Sequence, residues 1–218
     1  MRVVPALVAI VFVAGAAIFL LRPRMAQAEI LRVGDVAPDF SADAILGEQT
    51  VSAHLSDYRG RPVVLYFYPK DSTPGCTKEA CAFRDGYVEL QNHGIILFGC
   101  SIDSARSHRA FAKKYGLPFP LLLDPEKKIA RAYGAENGIP IIGLNRRITY
   151  VIGEDGRILK AYQEVDPATH AVTIIRELGA DKKEAIPAAT VTPPPPSMPE
   201  TGANRPAAPG SGRDSETE

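Results

Sequence analysis

The sequence predicts an α/β domain in which helices flank a mixed sheet. Three observations carry this. Val63-Val-Leu-Tyr-Phe-Tyr68 is nearly all apolar, β-branched or aromatic, the pattern of a strand covered on both faces. Cys76, Ala80, Phe83, Tyr87 and Leu90 recur at the spacing of one helical stripe. Arg147–Ile152 and Arg157–Tyr162 flank Glu154-Asp-Gly156, a hairpin with Asp-Gly turn chemistry. Strands and helices alternate first, and an antiparallel pair closes the sheet.

In chain order, Val36-Ala-Pro-Asp-Phe40 opens the domain as an extended segment, and Thr50–Ser52, after Leu46-Gly-Glu, is the second arm of a short hairpin. The buried strand Val63–Tyr68 leads into the helix that carries Cys76, with Pro74 near its start, where a missing N–H costs little. Gly94 ends that segment, and Ile95–Gly99 is a second buried strand. Ala105–Tyr115 is a helix stopped by Gly116 and Pro118. Pro120–Leu123 is a short strand and Glu126–Tyr133 a short helix. After the hairpin, Thr169–Leu178 is the last helix.

The chain of 218 residues is long enough for one domain with a full core, expected over 29–180. Lys and Arg total 25 and so do Asp and Glu, a balance that gives no case for a nucleic-acid surface. Val3 to Leu21 carries no charge, and as a helix would measure ~28 Å, about a bilayer's hydrocarbon thickness. Residues 1–28 are therefore read as a membrane anchor or signal segment. Ala26-Gln27-Ala28 has the form of a cleavage site, so export after cleavage is the alternative. Arg22, Arg24 and Arg32 after the span point its C-terminal side to the cytoplasm, whereas the signal-like Ala-Gln-Ala points outward. The reading adopted is a membrane-anchored domain on the extracytoplasmic, periplasmic side. Residues 181–218 lack aromatics and contain the run Pro193–Pro196, so a disordered tail is expected.

The chemistry centres on Cys76, which falls between a strand and a helix. A free thiol titrates near ~8.5, and a helix N-terminus or a nearby cation lowers that value. Arg147 begins the strand expected beside Val63–Tyr68 and supplies such a cation. Thr73 offers a hydroxyl to the sulfur or to a bound oxygen, and the N–H groups of Gly75 and Cys76 point to the same place. Such a site suits attack on an O–O bond, where charge develops on the leaving oxygen. Helical periodicity alone fits a buried structural cysteine equally well.

Cys81 lies five residues on, ~8–9 Å from Cys76 between Cα atoms in an intact helix, beyond the ~7 Å a disulfide allows. The two thiols can join only if the first helical turns unwind. Cys100 ends a buried strand and reads as a small core residue. His54, His93, His108 and His170 are scattered and form no ligand set with the cysteines. Lys113-Lys114 and Lys127-Lys128 read as solvated helix faces.

Pro69-x-x-x-Thr73-x-x-Cys76, within Tyr66-Phe-Tyr-Pro-Lys-Asp-Ser-Thr-Pro-Gly-Cys-Thr-Lys-Glu-Ala-Cys-Ala-Phe-Arg-Asp85, resembles the peroxiredoxins, and among them the peroxiredoxin Q or bacterioferritin comigratory protein subgroup. Gly34–Phe40, Phe111–Pro120 and the Arg147 strand extend the resemblance over about Leu31 to Leu178. It implies a thioredoxin-like fold and reduction of hydrogen peroxide and organic hydroperoxides. It implies Cys76 as the peroxidatic cysteine and Cys81 as an intrachain resolving cysteine. Thr73 and Arg147 would hold the peroxide and Pro69 would shield the sulfur. Thioredoxin or a similar dithiol would restore the thiols, with no metal or organic cofactor; separately, a monomer is expected. The short stretch Ala135–Asn145 and Gly153 depart from the family's usual pattern at the pocket rim. The alternatives are a membrane-tethered disulfide reductase of thioredoxin type and a peroxide sensor. The former would prefer a Cys-x-x-Cys pair, and the spacing here is longer.

Overall fold

A computed structural model of the chain describes residues 29–136, 143–163 and 165–183. Its centre is one seven-stranded mixed sheet. The strands are β1 Ser41–Leu46, β2 Gln49–His54, β3 Val63–Phe67, β4 Ile96–Ser101, β5 Leu121–Leu123, β6 Ile148–Ile152 and β7 Ile158–Tyr162. They lie in the order β2-β1-β5-β4-β3-β6-β7. β4 pairs in parallel with β3 and β5, and every other pairing is antiparallel. The helices are α1 Pro74–Asp85, α2 Tyr87–Asn92, α3 Ala105–Tyr115, α4 Lys128–Ala132 and α5 His170–Lys183.

All five β3 residues are buried because both faces of the sheet are covered. Val64, Tyr66 and Tyr68 turn to the face packed by Cys76, Ala80 and Phe83 of α1, Phe111 and Ala112 of α3, and Ala171 and Ile174 of α5. Val63, Leu65 and Phe67 turn to the opposite core, with Phe40, Ile129 and Tyr150. β6 pairs antiparallel with β3, matching Ile148 to Phe67. The start of β6 therefore lies at the carboxyl end of β3, where α1 begins. That register brings Arg147 and Cys76 together across 71 residues.

α3 has the expected limits: the Ser104 hydroxyl accepts from the Ser107 N–H at 3.3 Å, and Gly116 closes the helix in the left-handed conformation. The stripe from Cys76 to Leu90 is expected as one helix and is two. Gly86 ends α1, and its missing Cβ is where the Ile175 side chain of α5 comes in. The helix gives way there to a close helix–helix approach. α5 runs to Lys183, past the expected domain end at Ala180, and the expected disordered tail otherwise lies outside the described residues.

The membrane-anchored, extracytoplasmic reading is corrected. Its span 3–21, with all of 1–28, lies outside the described residues. Among the described residues no helix is long and apolar enough to cross a membrane. The longest, α5, has 14 residues, where ~20 apolar ones are needed. A charge-free run of sufficient length satisfies the hydropathy rule without showing that a bilayer surrounds it.

Candidate active site

Cys76 is the third residue of α1 and is buried. Pro74 and Gly75 precede it in the first turn, so the N–H groups of Gly75 and Cys76 have no acceptor within the helix. Beneath the sulfur, the Tyr66 ring stacks on Phe83 at 4.7 Å and on Tyr68 at 5.4 Å. Gly99 of β4 leaves room for the Tyr66 ring, since a Cβ there would meet its hydroxyl at 2.7 Å.

Arg147 reaches the sulfur directly: its Nη2 donates to Cys76 Sγ at 3.2 Å. Its Nη1 forms an ion pair with Glu79, one turn further along α1. One guanidinium fork thus spans thiol and carboxylate, which a lysine's point charge does not reproduce. Glu79 is fully buried, and its Oε1 has no hydrogen-bond partner among the described residues. Burial pushes its carboxyl up to about 7, against the attraction of Arg147. On the guanidinium side burial works against the charge, and the Glu79 and Cys76 contacts outweigh it. Arg147 stays cationic, and Glu79 is the partner that titrates.

Thr73 stands at the N-cap of α1, but its hydroxyl donates to the Lys70 carbonyl at 3.0 Å and makes no cap bond. Of the two acceptors expected for that hydroxyl, the sulfur or a bound oxygen, the sulfur is not engaged here, because loop closure takes the proton. Pro69 is half-buried at the exit of β3. Cys81 is half-buried on the same unbroken helix as Cys76, and both thiols are free. Cys100 is a core residue, its thiol pushed up by burial and then by Asp124. Gly153, expected at the pocket rim, instead follows β6 at the end away from Arg147, where Ile152 pairs with Val63, and a Cβ there would lie 3.0 Å from the Asp155 carboxylate. Among the described residues no group of His, Cys, Asp and Glu is placed to hold a metal ion.

Three neighbours of the site escape a reading of the sequence. Glu79 is the detectable one, since a residue three positions after Cys76 shares its helix face. His108 and His170 are scattered along the chain, yet both are buried. His170 Nε2 lies 2.8 Å from Thr149 Oγ1, and its ring meets Phe83 edge-on. His108 contacts Asp71 in the loop before Thr73, a pairing across 37 residues that no local pattern announces.

A mixed α/β sheet that presents a buried, arginine-held thiol at a helix start defines the class of thiol-dependent oxidoreductases. Comparison with known proteins narrows it. Residues 33–161 match the AhpC/TSA family. Peroxiredoxin Bcp of Bacillus subtilis is 37% identical over 153 residues, covering 68% of this chain and 95% of that protein. A chloroplastic peroxiredoxin Q of Triticum aestivum is 46% identical over 138 residues, covering 63% of this chain and 62% of that protein. The crystal structure of peroxidoxin BcpB from Mycobacterium tuberculosis superposes with a TM-score of 0.62 at 33% identity, covering 69% of this chain and 97% of that one. The chain belongs to the AhpC/TSA family. Its fold is the thioredoxin-like one of the peroxiredoxins, as the motif implied. These relatives, a bacterial Bcp and a chloroplastic peroxiredoxin Q, likewise give the membrane-anchored reading no support.

Proposed function

We propose that Cys76 is the peroxidatic thiol of this chain, with Cys81 as its intrachain resolving partner. Family membership makes the protein a thiol-dependent peroxidase with a peroxide substrate and a thiol reductant. The observation that carries the assignment of Cys76 is the 3.2 Å bond from Arg147 to its buried sulfur. A guanidinium donor and the free N–H groups of a helix start are both suited to stabilise the negative charge that develops during attack on a peroxide.

In the first step the Cys76 thiolate attacks one peroxide oxygen. An S–O bond forms, the O–O bond breaks, and the leaving oxygen takes up a proton and departs as water or an alcohol. Arg147 stabilises the charge on that oxygen. Pro69 shields the sulfur from bulk water, and Thr73, with its proton held by Lys70, keeps its oxygen lone pairs for the peroxide hydroxyl. In the second step the Cys81 sulfur attacks the sulfenic acid. An S–S bond forms, the S–O bond breaks and water leaves. This step requires the first turns of α1 to unwind, because the intact helix holds the thiols beyond bonding distance. Thioredoxin or a similar dithiol reopens the disulfide by exchange.

The test is peroxide consumption by the purified protein supplied with a dithiol. Cys76→Ser abolishes it. Cys81→Ser retains the first step and accumulates sulfenic acid. Unchanged turnover in Cys76→Ser overturns the assignment.

A further inference from the structure

The loop Pro69–Thr73, which delivers the chain to Cys76, is tied down by a buried polar cluster that takes no part in the peroxide chemistry of Cys76 and Cys81. Asp71 sits at its middle and is 6% exposed. Its Oδ1 accepts from the Tyr68 hydroxyl at 2.8 Å. Its Oδ2 accepts from the Ser107 hydroxyl at 2.7 Å and lies 2.9 Å from His108 Nδ1. Its backbone N–H donates to Asp103 Oδ2 at 2.9 Å, and Asp103 accepts in turn from the Ser101 hydroxyl at 2.8 Å. His108 is fully buried, and its Nε2 faces the Leu122 carbonyl at 3.2 Å. A carbonyl only accepts, so Nε2 donates, and one further proton bridges Nδ1 and the Asp71 carboxyl. Tyr68, just after β3, and Ser107 and His108 of α3 therefore bind the Asp71 side chain directly, while Ser101 of β4 and Leu122 of β5 brace the cluster through Asp103 and His108.

The backbone immediately after Asp71 needs such anchoring. Ser72 has φ 59, a left-handed conformation costly for a residue with a Cβ. Thr73 comes next, at the N-cap, and Cys76 one helical turn later. The loop backbone thus sets the aim of both Thr73 and the first turn. Strain of this kind persists only where the surroundings over-determine it.

We propose that Asp71 and His108 are positioning residues for the peroxide step: their buried pair holds Ser72 left-handed and so aims the Thr73 hydroxyl and the Cys76 sulfur. The pair also marks where unwinding stops. When α1 opens to let Cys81 reach Cys76, the chain up to Asp71 stays docked, and the helix re-forms on a fixed base. The proposal rests on Cys76 as the attacking thiol. Wild-type protein compared with Cys76→Ser tests that reading separately.

The experiment measures two rates in one stopped-flow series with hydrogen peroxide, together with thermal stability. One is the second-order rate of Cys76 oxidation, and the other is the first-order rate of disulfide formation. Asp71→Asn and His108→Gln lower the first at least tenfold in protein that remains folded, and leave the second unchanged or faster. A purely structural role would lower stability and spare the peroxide rate of the folded fraction. Tyr68→Phe and Ser107→Ala each delete one bond to Asp71 and test the same point if the first pair fails to fold. Each then lowers the peroxide rate by a smaller factor. Peroxide rates within twofold of wild type in every folded variant overturn the proposal.

Discussion

Arg147 Nη2 donates to Cys76 Sγ at 3.2 Å while Nη1 of the same guanidinium pairs with Glu79. Two residues of α1 thus share one half-buried cation that comes from a distant segment of the chain. The arrangement results from the antiparallel pairing of β6 with β3, which sets Arg147 beside the junction where α1 begins. Each partner of this cluster has a separable consequence.

Arg147→Met removes the donor to the sulfur with little change in bulk. Losing one preorganised donor of this kind lowers a rate by ~10²–10³-fold, and that is the expected fall in the second-order rate with peroxide. The variant also leaves Glu79 buried without its partner, which costs ~1–3 kcal/mol where the carboxyl can take up a proton. Adding Glu79→Gln recovers stability and not rate. Urea unfolding and stopped-flow peroxide oxidation of the single and double variants read the two effects apart.

Glu79 gives the fold a dependence on pH. Its carboxyl is raised from 4.5 to about 7, so the folded state binds its proton more tightly than the unfolded chain. The benefit is complete below about 4.5 and is lost as pH rises through about 7, where a buried carboxyl must ionise. Thermal midpoints from pH 4.5 to 8 should fall in wild type relative to Glu79→Gln. Parallel curves would contradict the assignment.

His170 acts with the opposite sign. Burial, and then the charge of Arg147, lowers it from 6.5 to about 4. The folded state holds it neutral, so its contribution is present above about 6.5 and is lost as pH falls towards about 4. His170→Gln should be less sensitive than wild type over that acid range, as followed by thermal unfolding. An unchanged acid slope would place the sensitivity elsewhere.

Much of this architecture is legible in the sequence for local reasons. β3 announces itself because burial on both faces demands an unbroken apolar run. α3 does so because Ser104 and Gly116 supply both of its ends. Arg147 can be placed because a hairpin after the last parallel strand has few edges to join. The hidden part is tertiary. Gly86 breaks the helical stripe because Ile175 occupies the space of its Cβ, and a lone glycine in a periodic run does not reveal that. Thr73 is expected to donate to the sulfur or to a bound oxygen, and the direction of a hydroxyl is decided by the nearest carbonyl, here Lys70. Asp71 and His108 meet only because the loop after β3 passes the first turn of α3. The charge-free run 3–21 shows the converse, a strong local signal that the described part of the chain and its relatives do not support.

The central claim is that Cys76 and Cys81 complete one redox cycle within the chain. The most direct measurement adds one equivalent of hydrogen peroxide to fully reduced protein, then alkylates and maps the thiols by mass. The account predicts a Cys76–Cys81 disulfide with Cys100 left as a free thiol, and a Cys76 sulfenic acid alone in Cys81→Ser. Peroxide consumed while Cys76 remains free to alkylate would contradict it.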